Sequence, residues 1–332
     1  MQTETKGITA TPPRLIASIA AGFNTVANHI YLILFPIALD LLLWLGPRLS
    51  INTLSEPFIS QFNRVILEMG TANSAEMVRV GKEFWETMLE RFNLLGFLRT
   101  FPVGIASLFS TSAPATSPLG DPFLVEIPSL ASMLGLGLLL IITGLLMGSI
   151  YFHEVARCSS AEKSTFSLQQ MTWQFLQTLL LTVSLVIIVL MFAIPTLMTV
   201  SVLLLFSPAI AQIGLFFMSL LMLWLFLPLV FAPHGIFANR QNALAAMRTS
   251  VRMVRFFLPG TGLFLITLLV FSQGMDVIWR VPPETSWMSM IGVFGHAFVT
   301  TALLSASFFF YSGSIRWMTE NLKRVGSKGM RI

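Results

Sequence analysis

Three ionisable side chains, Asp40, Asp276 and His296, stand inside stretches otherwise suited to hydrocarbon. A charge placed there is costly unless it is protonated, paired or wet, so each counts as a functional candidate. Measured from the ends of their apolar runs, all three fall in the same half of the membrane, with Gln273 one turn from Asp276. Together they form one expected polar site. A carboxylate and an imidazole at matching depth can share a proton and respond to pH, or grip a small substrate. The competing reading is local packing, with Asp40 in a network with Trp44 and Arg48, and His296 among Gly292, Gly295 and Thr300.

A second candidate is basic. In 239–257, Arg248, Arg252 and Arg255 share one face at about 100° per residue, and Leu244, Met247, Val251 and Val254 share another. Such a helix lies in the membrane interface and meets anionic headgroups, or serves as a topology determinant packed on the protein. Other constellations imply no chemistry. His153 and His234 each close an apolar run, followed by Glu154 in one case and Gly235 in the other; without a further carboxylate or thiol ligand the pair implies no metal site. The single cysteine, Cys158, excludes an internal disulfide and zinc spacing. Gly260 and Gly262 follow no strand, so they are not a nucleotide loop. No catalytic residue, cofactor or metal is expected.

The elements that carry these residues follow from composition. Of 332 residues, 55% are hydrophobic and 11% charged, against roughly 25% charged in soluble domains. A soluble fold of this size could not hide that much apolar surface; lipid removes the need. The expected class is all-α: a polytopic helical membrane bundle. A hydrocarbon core of about 30 Å takes ~20 residues at 1.5 Å each. Spans are expected at 30–46, 130–152, twice within 173–232, at 257–278 and at 288–312. The 59 residues of 173–231 carry no charge and would measure about 88 Å as one helix, so they must fold back, with Pro195 and Pro208 marking the turn region. An interfacial lead-in helix occupies part of 1–29, with no cleaved signal peptide expected.

Charge then sets the orientation. Six spans put 1–29, 153–172, 233–256 and 313–332 on one side, with thirteen Lys and Arg against four Asp and Glu; the other side has seven against ten, counting Asp276 near the outer end of its span. The positive-inside bias makes the first side cytoplasmic, with both termini there. This clustering beside spans accounts for the net charge of +5 without a nucleic-acid partner. The segment 47–129 is the one large outer stretch. Phe58, Phe62, Val65 and Met69, then Met77, Val80, Phe84, Met88 and Leu95, have helical spacing and imply two amphipathic helices with a break at 70–73. Residues 94–109 read as interfacial or partly re-entrant. The helices form a lid on protein and lipid, or a platform for a protein partner. In 130–152, Gly137, Gly144 and Gly148 favour close helix contact within the bundle or at a homodimer seam. Gln174, Gln177 and Gln212 are expected in helix packing.

The stretches LDLLLWLGPRLS (39–50), LRTFPVG (98–104) and PLGDP (118–122) resemble an uncharacterised family of bacterial six-span integral membrane proteins. That resemblance covers most of the chain and implies the bacterial cytoplasmic membrane, with no activity to transfer. YFHEVAR (151–157) and FAPHGIFANRQNALAAMRTSVRMV (231–254) are similar to the membrane domain attached to some bacterial glycerophosphodiester phosphodiesterases. No phosphodiesterase catalytic domain accompanies them, so that activity is not implied. The functional expectation is a non-enzymatic organising, assembly or accessory role, with a small-molecule or lipid transporter or permease subunit as the alternative.

Overall fold

A computed structural model describes residues 11–68, 74–110, 112–160 and 167–329. The architecture is all-α and polytopic. In chain order come α1 (Leu15–Asn28), α2 (Leu34–Leu45), α3 (Asn52–Glu68), α4 (Ser74–Glu90), α5 (Leu130–Cys158) and α6 (Leu168–Phe206). There follow α7 (Pro208–Phe226), α8 (Ala232–Asn239), α9 (Ala243–Phe256), α10 (Leu258–Trp279) and α11 (Ser289–Gly329). Two three-residue strands, β1 (Arg48–Ser50) and β2 (Leu124–Glu126), pair in parallel. Among the described residues, five stretches are long and apolar enough to cross a membrane: α5, most of α6, Pro208–Asn239, α10 and most of α11. A sixth exists if α1 and Ile30–Leu45, bent by 94° at His29, count as one span.

That bend changes the expected first span. Residues 30–46 do not form one straight helix: a 3-10 turn at Ile30–Ile33 precedes the 12-residue α2. At 1.5 Å per residue α2 reaches about 18 Å, short of a ~30 Å core. The long apolar run also resolves differently at its two prolines. Pro195 stays inside α6, whereas the chain turns at Pro208. Ser207 ends α6 in extended geometry and caps α7, its hydroxyl accepting from Ala209 N at 3.2 Å. A proline costs a helix one bond, but a reversal also needs a cap; serine precedes Pro208 and isoleucine precedes Pro195.

The chain divides into two compact units. Unit 1 comprises Met1–His29, Phe152–Val270 and Ala302–Ile332. Its core is aromatic: Phe231, Phe264, Phe310 and Tyr311 pack with Met253, Val254 and Met318, and Phe264 stacks on Phe310 with centroids 4.0 Å apart. Gly22 of α1 lies against the backbone of α11 at Ala302 and Ala306, where any Cβ would collide. The close helix contact is made here by a lone glycine.

Unit 2 comprises Ile30–Tyr151 and Phe271–Thr301. It holds the α3–α4 pair, both helices amphipathic, with Phe58, Phe62, Val65, Val80, Phe84 and Met88 exposed. Met69 and the break at 70–73 lie outside the described residues. After a 3-10 turn at Leu94–Leu98 the described residues up to β2 form no helix or strand apart from a Ser117–Gly120 bridge, yet Val103, Ile105, Leu108, Phe109 and Ala113 are buried, as is Ile127 just beyond β2. The glycines of α5 explain how. Gly144 abuts the Leu98 carbonyl and Thr100, and Gly148 would place a Cβ 2.9 Å from the Gly104 Cα. Gly137 faces the Phe97 ring. The small-residue face expected to receive a helix receives the 97–104 backbone instead. Glycine spacing demands a close neighbour and leaves its secondary structure open.

Candidate functional site

The expected polar site lies wholly in unit 2, and each member has a different fate. Asp276 of α10 and His296 of α11 are bonded, Oδ1 to Nδ1, at 2.9 Å. Glycine again sets this approach. One turn on from Asp276, the Trp279 ring and carbonyl fill the space left by Gly295 and Gly292, where a Cβ at Gly295 would sit 2.6 Å from the ring. His296 is 3% exposed and its Nε2 makes no hydrogen bond.

Asp40, fully buried on α2, turns to the irregular segment. Its Oδ1 accepts from the Ser107 hydroxyl at 2.5 Å and from Leu108 N at 2.8 Å, with a longer bond from Phe109 N. Asp40 and His296 are near enough to interact electrostatically, with no direct bond between them. The Asp40 Oδ2 has no hydrogen-bond partner. Gln273 is exposed and outside the cluster: at 100° per residue it lies 300° from Asp276, yet the neighbouring chain closes only over the Asp276 and Trp279 side. The local network with Trp44 and Arg48 is also absent, because those two side chains have other work.

That work is a second set of pins. The Arg280 guanidinium donates to Leu108 O at 2.7 Å, so Leu108 is held through both its N–H and its carbonyl. Glu284, four residues on, accepts from Arg91 at 2.8 Å and from Ala115 N at 3.1 Å, while its carbonyl accepts from Trp44 Nε1 at 2.9 Å. Arg48 is 7% exposed and donates to the Glu90 and Pro114 carbonyls. Burial pulls the Arg48 guanidinium below its ordinary value, and the Glu90 and Glu284 carboxylates act against that shift. It stays charged at any physiological pH. Irregular backbone away from water must find partners for its N–H and C=O groups. Here charged side chains supply them, with hydrogen bonds of the stronger, charge-assisted kind. Sequence reading missed Ser107, Arg280 and Glu284 in these roles. The one available signal was an Arg and a Glu four apart in the short link between two spans.

In unit 1, Arg248, Arg252 and Arg255 are all exposed on α9. The buried face is Ala243, Ala246, Ser250, Met253 and Val254, and Leu244 is 57% exposed. The apolar side therefore differs from the one expected, because small residues let α9 seat against α8 while Leu244 and Val251 flank the arginines. Asn242 caps α9, accepting from Ala245 N at 2.8 Å, and Ser250 bonds Pro228 O and Phe231 N. His153 bonds Gln174 at 2.7 Å, and His234 Nε2 bonds Ser307 at 2.7 Å. Gln177 accepts from Ala243 N. Among the described residues no three His, Cys, Asp or Glu converge as a metal set.

Fold and site together define a multi-pass helical membrane protein with a charged clamp on an irregular inter-span segment. No protein-family model, no curated protein and no solved structure matches the chain.

Proposed function

We propose that the chain is a non-enzymatic protein of the bacterial cytoplasmic membrane with an organising, assembly or accessory role. In this reading both termini are cytoplasmic, 47–129 faces outward, and the basic face of α9 contacts anionic lipids. The observation that carries it is the clamp. Asp40, Arg280, Glu284 and Arg48 are all engaged in fixing backbone between Glu90 and Ala115, an arrangement suited to presenting a surface. What is presented is the α3–α4 pair with its exposed Phe62 and Phe84, offered to a protein partner.

A photo-crosslinking residue at Phe84 tests this in native membranes. A discrete protein adduct is expected, and it should vanish with Asp40→Ala while the chain remains inserted. Adducts to lipid alone would contradict the reading. Orientation is checked in a Cys158→Ser background: an impermeant thiol reagent on intact cells should label Ser60→Cys and spare Thr319→Cys. The reverse pattern would invert the topology.

The transporter reading keeps one specific support. Irregular backbone packs on α5 at Gly144 and Gly148, deep within a span, and discontinuous segments at such depth line transport sites. Protein-dependent lipid or solute flux in proteoliposomes would favour it over the accessory role.

A further inference from the structure

Two buried atoms of unit 2, Asp40 Oδ2 and His296 Nε2, have no hydrogen-bond partner, on residues only 0% and 3% exposed. Their neighbours fix what each atom can do. An ionised Asp276 only accepts, so its 2.9 Å bond to His296 holds the imidazole proton on Nδ1 and leaves Nε2 as a lone pair. Asp40 Oδ1 accepts from Ser107 and Leu108, and Oδ2 is a second unused acceptor. The two groups are neighbours. The Arg280 N–H bonds the Asp276 carbonyl at 3.2 Å, and the Arg280 guanidinium donates to the carbonyl of Leu108, whose N–H bonds Asp40. Asp40 and His296 also interact electrostatically. Each acceptor left dry is unfavourable, and two acceptors cannot satisfy one another.

One proton serves both. Added to Nε2, it makes the imidazole a donor at both nitrogens: Nδ1–H stays on Asp276, and Nε2–H reaches Asp40 Oδ2 directly or through one water. We propose that Asp40, His296 and Asp276 form a proton-binding site, which takes up one proton on His296 and thereby fixes Asp40 in the clamp. Asp276, with its side chain 22% exposed, is the member that reaches the surface. The elements around the site add few other charges. The α5 run 130–152 has none, and its Tyr151 bonds Thr301. Segment 107–109 brings a hydroxyl and two N–H groups, and Arg280 is directed at Leu108 O. As pH rises the proton leaves, Asp40 loses its counter-charge, and the clamp loosens. This goes beyond the accessory role and stands independently of it.

Nitrogen NMR of the full chain in micelles, with histidine labelled, tests the assignment. The chain has four histidines, and His296→Gln identifies the signal. At about pH 5.5, the acid end of the range in which imidazole titrates, His296 should carry protons on both nitrogens; at about pH 9 it should keep Nδ1–H alone. Asp40→Asn is isosteric and its amide can donate to Nε2, so His296 should then be neutral at the lower pH too. A neutral His296 at the lower pH in the unaltered chain, or an unchanged imidazolium in folded Asp40→Asn, would overturn the proposal. A second measurement needs no change at Asp40. In a Cys158→Ser background, thiol labelling of Ala113→Cys, taken relative to Ser60→Cys at the same pH, should rise at least about threefold between those two pH values, a partial release of buried hydrogen bonds. His296→Gln, a donor that does not titrate, should remove that rise. A ratio that does not change with pH would contradict the coupling of the proton to the clamp.

Discussion

The 91–129 segment and the α6–α7 pair solve the same problem in opposite ways. Both bring a chain that cannot be one helix into apolar surroundings. In α6 and α7 the backbone satisfies itself, the side chains face outward, and only 17% and 11% of the most apolar stretches are buried. One capped serine marks the reversal. The 91–129 segment has almost no regular structure, so its N–H and C=O groups need partners from elsewhere, and Asp40, Arg48, Arg280 and Glu284 provide them. Charged residues are thus placed by backbone demand. A buried carboxylate in a span need not be a reaction centre; it can be what irregular structure costs in a dry environment.

This contrast is broken most severely at Asp40. Replacement by alanine leaves the Leu108 N–H and the Ser107 hydroxyl without their acceptor. A loss of about 2–4 kcal/mol is expected, at about 1–3 kcal/mol for each buried donor left unsatisfied, read as the unfolding midpoint in mixed micelles. Next comes Gly144→Leu, which would drive a side chain into the Leu98 carbonyl and should cost about 1–3 kcal/mol. Gly135→Leu, where nothing lies within 4 Å, should change stability by less than about 0.5 kcal/mol. Ser207→Ala should cost about 1 kcal/mol through the lost cap and leave hydrogen exchange of 91–129 unaltered. The smallest effect belongs to α9. Replacing Arg248, Arg252 and Arg255 together by glutamine should weaken vesicle binding by about 1 kcal/mol per charge at best, with single changes barely measurable.

Much of the helical frame is legible in the sequence, because an apolar run of sufficient length has few alternatives to a span. The edges of α10 fall one residue from the composition-based span, and α5 starts with its span at Leu130 but runs on to Cys158. Depth counting alone puts Asp276 and His296 in one half of the membrane. It cannot say that Asp40 turns toward Ser107 and Leu108, 67 and 68 residues away, since nothing local encodes which loop a carboxylate will meet. The boundary at His29 is legible, since α1 is rich in small and polar residues where α2 is leucine-rich; the 3-10 turn at Ile30–Ile33 that shortens α2 is not, since no residue type there marks it. Gly144 and Gly148 signal close approach correctly and leave the identity of the neighbour unspecified.

The claim that Asp40 holds the irregular segment shut is tested most directly by thiol labelling at Ala113, which is 4% exposed and whose N–H bonds Arg91 O at 3.1 Å. In a Cys158→Ser background, Ala113→Cys should react slowly with a small thiol reagent. Adding Asp40→Ala should speed that labelling at least tenfold while a control cysteine at Ser60 is unaffected. An unchanged labelling rate in the folded double variant would show that the segment is held by something other than the buried carboxylate.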